Sequence, residues 1–234
     1  MRSLDCFSDP IVLETSLACT REVYRPYDPG SYLYHQVMDW NADQKFTKAF
    51  IELVYVTLAA WNMNSRGARL SEFATFRSSL LAQKRTIEKL EGSKLRNLKK
   101  VEIQETLKKL FFDLILVDQG RPPLVTFSKT LHFFFPELIG PIDRTYTLNF
   151  FYGHTNLPKS LDGQYRRLME IELEFARFAG NVHLTGYKDR VWNTSVPKII
   201  DNAVIGWMKT HPMTKKASQG KTAIPRRSSP NRPA

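Results

Sequence analysis

Apolar residues in this chain recur at steps of three and four, and no stretch alternates apolar with polar residues in the manner of a half-buried strand. Near the C-terminus, Ile199, Ile200, Ala203, Val204, Trp207 and Met208 keep that spacing and lay an apolar face along one helix. Phe46, Phe50, Leu53, Val54, Thr57, Leu58 and Trp61 keep it too, with apolar surface spread nearly all round, the pattern of a helix buried among others. The expected fold class is therefore all-α.

Further helices follow from the same spacing and from their stop signals. Ser31 onward starts a helical pattern through Tyr32, Leu33, Val37 and Met38. Ser71 is placed to cap a helix running to about Leu90, where Gly92-Ser93 breaks it. Val101, Ile103, Leu107, Leu110, Phe111, Leu114 and Ile115 mark the next, which ends at the turn-rich Asp118-Gln119-Gly120-Arg121-Pro122-Pro123. Asp162 is expected to cap a helix from Gly163 to Phe178, and Thr194 or Ser195 the last helix, with Pro197 inside its first turn. Residues 182–192 are too mixed to assign. Residues 1–30, interrupted by Pro10, Pro26 and Pro29, are expected to be a loosely organised N-terminal segment before a helical domain over 31–208.

Composition matters most through where the charge sits. Of the net charge of +11, seven positive charges, Lys209, Lys215, Lys216, Lys221, Arg226, Arg227 and Arg232, lie after residue 208 with no acidic residue among them, leaving +4 for residues 1–208. Residues 209–234 are nearly free of apolar side chains and are expected to form a disordered basic tail. Unpaired Lys and Arg on such a segment give salt-dependent affinity for any polyanion, so Lys215, Lys216, Arg226 and Arg227 are nucleic-acid-binding candidates. The most apolar runs, 50–61 and 110–117, each contain an acid and are too short for a membrane span. Two cysteines thirteen positions apart, Cys6 and Cys19, and no leader-like apolar core at the N-terminus point to a reduced, cytoplasmic protein. His35, His154, His183 and His211 share no ligand spacing with each other or with the cysteines, so neither a metal nor a cofactor is expected.

One phrase carries chemistry. Ser128-Lys129-Thr130-Leu131-His132-Phe133-Phe134-Phe135-Pro136 reads as a short apolar helix with Ser128 as its cap and Lys129 in its first turn. Gly140-Pro141-Ile142-Asp143-Arg144-Thr145-Tyr146 reads as a turn that sets Asp143 at the mouth of the next helix, to about Tyr152. His132, inside the apolar run, reads as a core histidine. Read alone, Asp143 is a helix cap, Lys129 a solvated lysine or a phosphate contact, and Tyr146 either packing or a stacking surface for a base.

This phrase resembles the segment bearing the catalytic aspartate in helix-hairpin-helix base-excision DNA glycosylases, over about residues 107–152, and it is similar also to a functionally obscure bacterial branch of that fold. The resemblance implies a glycosylase-like bundle, DNA as partner, and Asp143 as the carboxylate that stabilises oxocarbenium character while an N-glycosidic bond breaks. It implies Ser128, Lys129, Arg144 and Tyr146 as nucleic-acid contacts. The chain departs from the family at 120–127, where the hairpin has one glycine, and Lys129 falls too late in the helix for the family's lysine nucleophile, so no Schiff-base lysine is carried over. Two other readings stand beside it: a non-catalytic helical interaction protein, and a nucleic-acid binder acting through its tail.

Overall fold

The computed structural model describes residues 1–23, 28–40, 42–63 and 69–211. Within them the protein is all-α. The helices are α1 (Pro10–Val23), α2 (Pro29–Met38), α3 (Lys48–Ala60), α4 (Phe73–Ala82), α5 (Lys84–Glu88), α6 (Val101–Asp113), α7 (Leu124–Phe134), α8 (Asn149–Tyr152), α9 (Leu161–Asn181) and α10 (Val196–Thr210). Among the described residues the nearest approach to a sheet is an isolated antiparallel bridge between Leu70 and Val117, and no helix is long and apolar enough to cross a membrane.

The organising element is α7, whose eleven residues are all buried. Six of its residues are apolar, while Thr126, Ser128, Lys129, Thr130 and His132 are buried with them, and its three phenylalanines meet aromatic neighbours. Phe127 lies edge-on to Phe111 of α6, Phe134 edge-on to Phe50 of α3, and Phe133 beside Trp61 just past α3, with ring centroids 5.0–5.2 Å apart. α7 opens at Leu124, four residues before the expected cap. Ser128 and Lys129 therefore sit in mid-helix, buried, and not at a solvated first turn.

The N-terminal segment departs most from its expected looseness. Pro10 and Pro29 begin α1 and α2, because a ring that fixes φ and lacks an N–H suits a helix's first turn. α1 packs along α10 and buries Leu13 and Leu17, while Leu4 and Phe7 ahead of it are fully enclosed. Each such side chain contributes about 1.5–3 kcal/mol by leaving water. The crossing is close enough that a Cβ on Gly206 would lie 2.6 Å from Thr20 Oγ1 and closer still to the Ser16 carbonyl oxygen. Thr20 Oγ1 donates across it to the Asn202 carbonyl. Residues 24–27 of the expected loose segment, and the tail from 212 onward, lie outside the described residues.

Other boundaries move for identifiable reasons. The expected 71–90 helix is two, α4 and α5, divided at Gln83. Ser71 does not cap α4. Its Oγ donates to the Ile115 carbonyl and its N–H to that of Leu116, tying the start of α4 to the strand-like exit of α6. α9 is capped by Ser160, two residues before Asp162, and runs three past Phe178. Ser195 caps α10 with Pro197 in the first turn, as the sequence indicates.

Candidate functional site

The residues from Leu138 to Asp143 form an extended turn laid against α7, and one face of that helix holds it. Ser128 Oγ accepts the Ile142 N–H at 3.1 Å and donates to the Val125 carbonyl. Lys129 Nζ stands 3.4 Å from Asp143 Oδ2. His132 Nδ1 donates to the Ile139 carbonyl at 2.7 Å. Positions 128, 129 and 132 share one side of the helix, which is the physical sense of the Ser-Lys-x-x-His spacing. From the opposite side, both oxygens of the buried Glu172 accept the Gly140 N–H at 3.1 Å. Gly140 itself packs so near Phe175 that a Cβ would meet the ring.

Asp143 ends this turn in extended conformation. Its Oδ1 accepts from the N–H groups of Thr145 (2.7 Å) and Tyr146 (3.2 Å), while its own N–H donates to Thr147 Oγ1. The cap is the expected one, but the turn it starts, Arg144–Leu148, is a π-helical turn leading into α8, a feature frequent at functional sites. The expected single helix from 144 to 152 is thus a wide turn followed by one α-turn. Asp143 remains 29% exposed and Lys129 8%, and the Lys129 ammonium lies 5.2 Å from the Trp61 ring centre. Burial opposes ionising Asp143, but the Lys129 cation and the Tyr146 and Thr145 N–H groups outweigh it and hold the carboxyl below its ordinary range.

Asp143 and Lys129 line a pocket of about 310 Å³ together with Trp61, Tyr146, Lys198 and Asp201. That is at the lower end of the range for small-ligand sites. Lys198 and Asp201 come from the first turns of α10, where Lys198 Nζ meets Asp201 Oδ2 at 2.7 Å with both side chains almost fully enclosed. Burial pushes the Asp201 carboxyl up and Asp143 adds to that, while the Lys198 cation bonded to it pulls the other way. Behind the pocket, His132 is fully buried. With Nδ1 donating to Ile139, its Nε2 accepts from the Tyr34 hydroxyl at 3.1 Å, and Tyr34 bonds in turn to Thr194 Oγ1. Burial, with Lys198 nearby, lowers the imidazole to about 3 against the pull of the Ile139 carbonyl, so His132 is a neutral core histidine.

The expected site residues thus separate. Asp143, Lys129 and Tyr146 converge on the pocket. Ser128 lies beneath it and positions the turn, with no surface to offer a phosphate. Arg144 is turned away, its Nε donating to the Thr155 carbonyl beside a different groove, with Arg121 and Lys159. Lys215, Lys216, Arg226 and Arg227 lie outside the described residues. Trp61, Lys198 and Asp201 escape the sequence reading. The one signal for the last two is a lysine just before, and an aspartate within, the apolar-spaced stretch Ile199-Ile200 to Ala203-Val204. Among the described residues, no three His, Cys, Asp or Glu side chains cluster as metal ligands do.

Comparison with known protein families, with characterised proteins and with solved structures gives no match to this chain.

Proposed function

We propose that the protein binds nucleic acid, DNA in the first instance, and takes an extruded nucleotide into the pocket beside Asp143, where N-glycosidic cleavage is the reaction the site is suited to. The supporting observation is a carboxylate held below its ordinary pKa and fixed by two backbone N–H groups, in a pocket that also presents Trp61 and Tyr146. As the glycosidic bond breaks, positive charge grows at the sugar's anomeric carbon. A preset negative group stabilises that charge without reorganising, and aromatic rings accept a base taken out of the stack. Water then adds to the anomeric carbon and the base leaves with a proton. The basic residues after 208 supply the sequence-independent attraction to phosphates. The cytoplasm is the proposed compartment, in keeping with the two unpaired cysteines, Cys6 and Cys19.

A second reading has its own support. Both oxygens of Asp143 already have protein partners, Oδ1 the two N–H groups and Oδ2 Lys129. On that reading the residue is a cap and an ion pair in a non-catalytic helical protein. Binding of the full chain to an intact duplex and to one with an abasic-site analogue, across a salt series, separates the two. Tighter binding to the abasic duplex that persists as salt rises supports the nucleotide pocket. Equal binding that vanishes with salt leaves only the tail's electrostatics and refutes it. If base release from duplexes carrying altered bases is observed, Asp143→Asn, which keeps the cap, has to abolish it. Activity that survives the change removes Asp143 from the chemistry.

A further inference from the structure

A second groove, of about 850 Å³, shares no lining residue with the Asp143 pocket. It is bordered by the end of α6, the loop 118–123 and the segment 156–161 that leads into α9. Its floor is apolar and open. Phe112 belongs to α6, Ile115 to the exit after it and Leu161 to the start of α9, yet they line one groove while 39%, 56% and 45% exposed. Single exposed apolar side chains are ordinary, but a gathering of them marks an interaction surface. The groove is also held in shape. Pro122 and Pro158 fix the backbone of the two bordering loops. The buried Gln164 ties those loops together, its Oε1 accepting the Leu124 N–H and its Nε2 donating to the Pro158 carbonyl. Walls set in advance spare a ligand the cost of ordering them.

The charge of the lining has one sign. Arg121 and Lys159 are exposed, and Arg144 is fixed by its Nε donating to the Thr155 carbonyl. Among the described residues the one acid of the lining, Asp118, is already paired with Arg69 at 3.2 Å. An apolar floor among cations complements a partner that is apolar and acidic. The chain's own residues 212–234 have the wrong sign, with Lys and Arg and no acid. A second copy laid face to face would set the three cations against their own kind. A nucleic-acid strand needs a track of cations and successive flat rings to stack on, and Phe112 is the one exposed ring among the described lining residues.

We propose that this groove docks a short acidic amphipathic segment of another protein, whose large apolar side chains cover Phe112, Ile115 and Leu161 while its Asp or Glu residues pair with Arg121, Arg144 and Lys159. The proposal stands apart from the reading of the Asp143 pocket.

The test passes a phage-displayed library of short random peptides over the immobilised full chain and measures the enriched sequences, as labelled synthetic peptides, by fluorescence anisotropy. Those sequences are expected to combine Asp or Glu with Leu, Ile, Phe or Trp. Ile115→Asp puts a carboxylate on the floor and keeps the backbone bonds of residue 115 to Ser71 and Ser79. It should weaken binding about tenfold or more, as should Arg121→Glu. Val101→Asp, at an exposed apolar position of α6 outside the groove, should leave binding unchanged. Acidic peptides held only by the basic residues after 208 would bind Ile115→Asp as well as wild type, which overturns the proposal. Enrichment of peptides without acids, or of none, overturns it too. An oligothymidylate whose binding both variants weaken, with the peptides unaffected, assigns the groove to nucleic acid instead. A dimer in sedimentation that Ile115→Asp dissociates assigns it to a second copy. Should one variant fail to fold, the other decides.

Discussion

Gly206→Ala should destabilise the protein severely, although the same exchange at most helix positions is favourable. In a solvent-exposed helix interior, alanine gains about 1 kcal/mol over glycine because it restricts the unfolded chain. At Gly206 the added Cβ would stand 2.6 Å from Thr20 Oγ1 and nearer still to the Ser16 carbonyl oxygen, where ordinary contact requires well over 3 Å. Both obstacles are on α1, and one is backbone, so rotamer changes cannot relieve the clash. The helices must part by about an ångström, and overpacking of this kind costs about 1–3 kcal/mol. Parting them also breaks the buried Thr20 bond to the Asn202 carbonyl, about 1–3 kcal/mol more when both groups stay buried. The net expectation is a loss of about 1–5 kcal/mol. Gly180→Ala is the internal control, since Gly180 lies in α9 with open space around its Cβ position, and it should stabilise by up to about 1 kcal/mol. Urea unfolding of the two variants and wild type provides the measurement. If Gly206→Ala stabilises as Gly180→Ala does, α1 is not docked on α10 and the account of the N-terminal segment is wrong.

Other outcomes follow from the site. Asp143→Ala should cost about 1 kcal/mol through the lost cap while Asp143→Asn costs far less, measured by thermal unfolding; equal losses would mean that the N–H bonds contribute nothing. Lys129→Met removes the cation beside Asp143, so the Asp143 carboxyl should titrate at higher pH by carbon-13 NMR, and an unmoved titration would deny the pairing. His132 titrates near 3 in the folded chain against 6.5 unfolded, so below pH 6.5 the unfolded state binds the extra proton. Stability is then lost as pH falls, by about 1.4 kcal/mol per unit from this group, and His132→Gln should flatten that slope in urea titrations between pH 6.5 and 4. Glu172 has the opposite sign. Its buried carboxyl is raised well above 4.5, so the folded state holds the proton that the unfolded state releases, and stability falls as pH rises above 4.5. Glu172→Gln should gain on wild type through that window, and parallel pH profiles would refute the assignment.

Helix identity was legible in the sequence because spacing alone decides it. α3, α6 and α10 appear where their apolar steps place them, and Ser195 and Asp143 cap as their side chains allow. What was not legible depends on partners distant in the chain. Pro10 looks like an interruption until α10 is present for α1 to pack on. Ser128 looks like a cap because serine usually is one, yet an Ile142 N–H fourteen residues later draws it into mid-helix burial. Trp61, Lys198 and Asp201 could not be grouped, since nothing local to any of them indicates the others. The Asp143 turn stood out because its determinants, proline, aspartate and the gripping face of α7, lie within sixteen residues.

The docking of α1 against α10 also sets an order of events during synthesis. α1 precedes its partner by a long stretch of chain, Thr20 and Asn202, which bond across the crossing, being 182 positions apart. Until α10 emerges, Leu13 and Leu17 have no cover from it, and the pocket lacks Lys198 and Asp201. Contacts this distant along the chain form late, so the nascent protein carries an uncovered amphipathic helix until α10 has been made. A chain truncated anywhere before residue 196 keeps that helix bare, and chaperones and proteases have a ready handle by which to recognise the unfinished product.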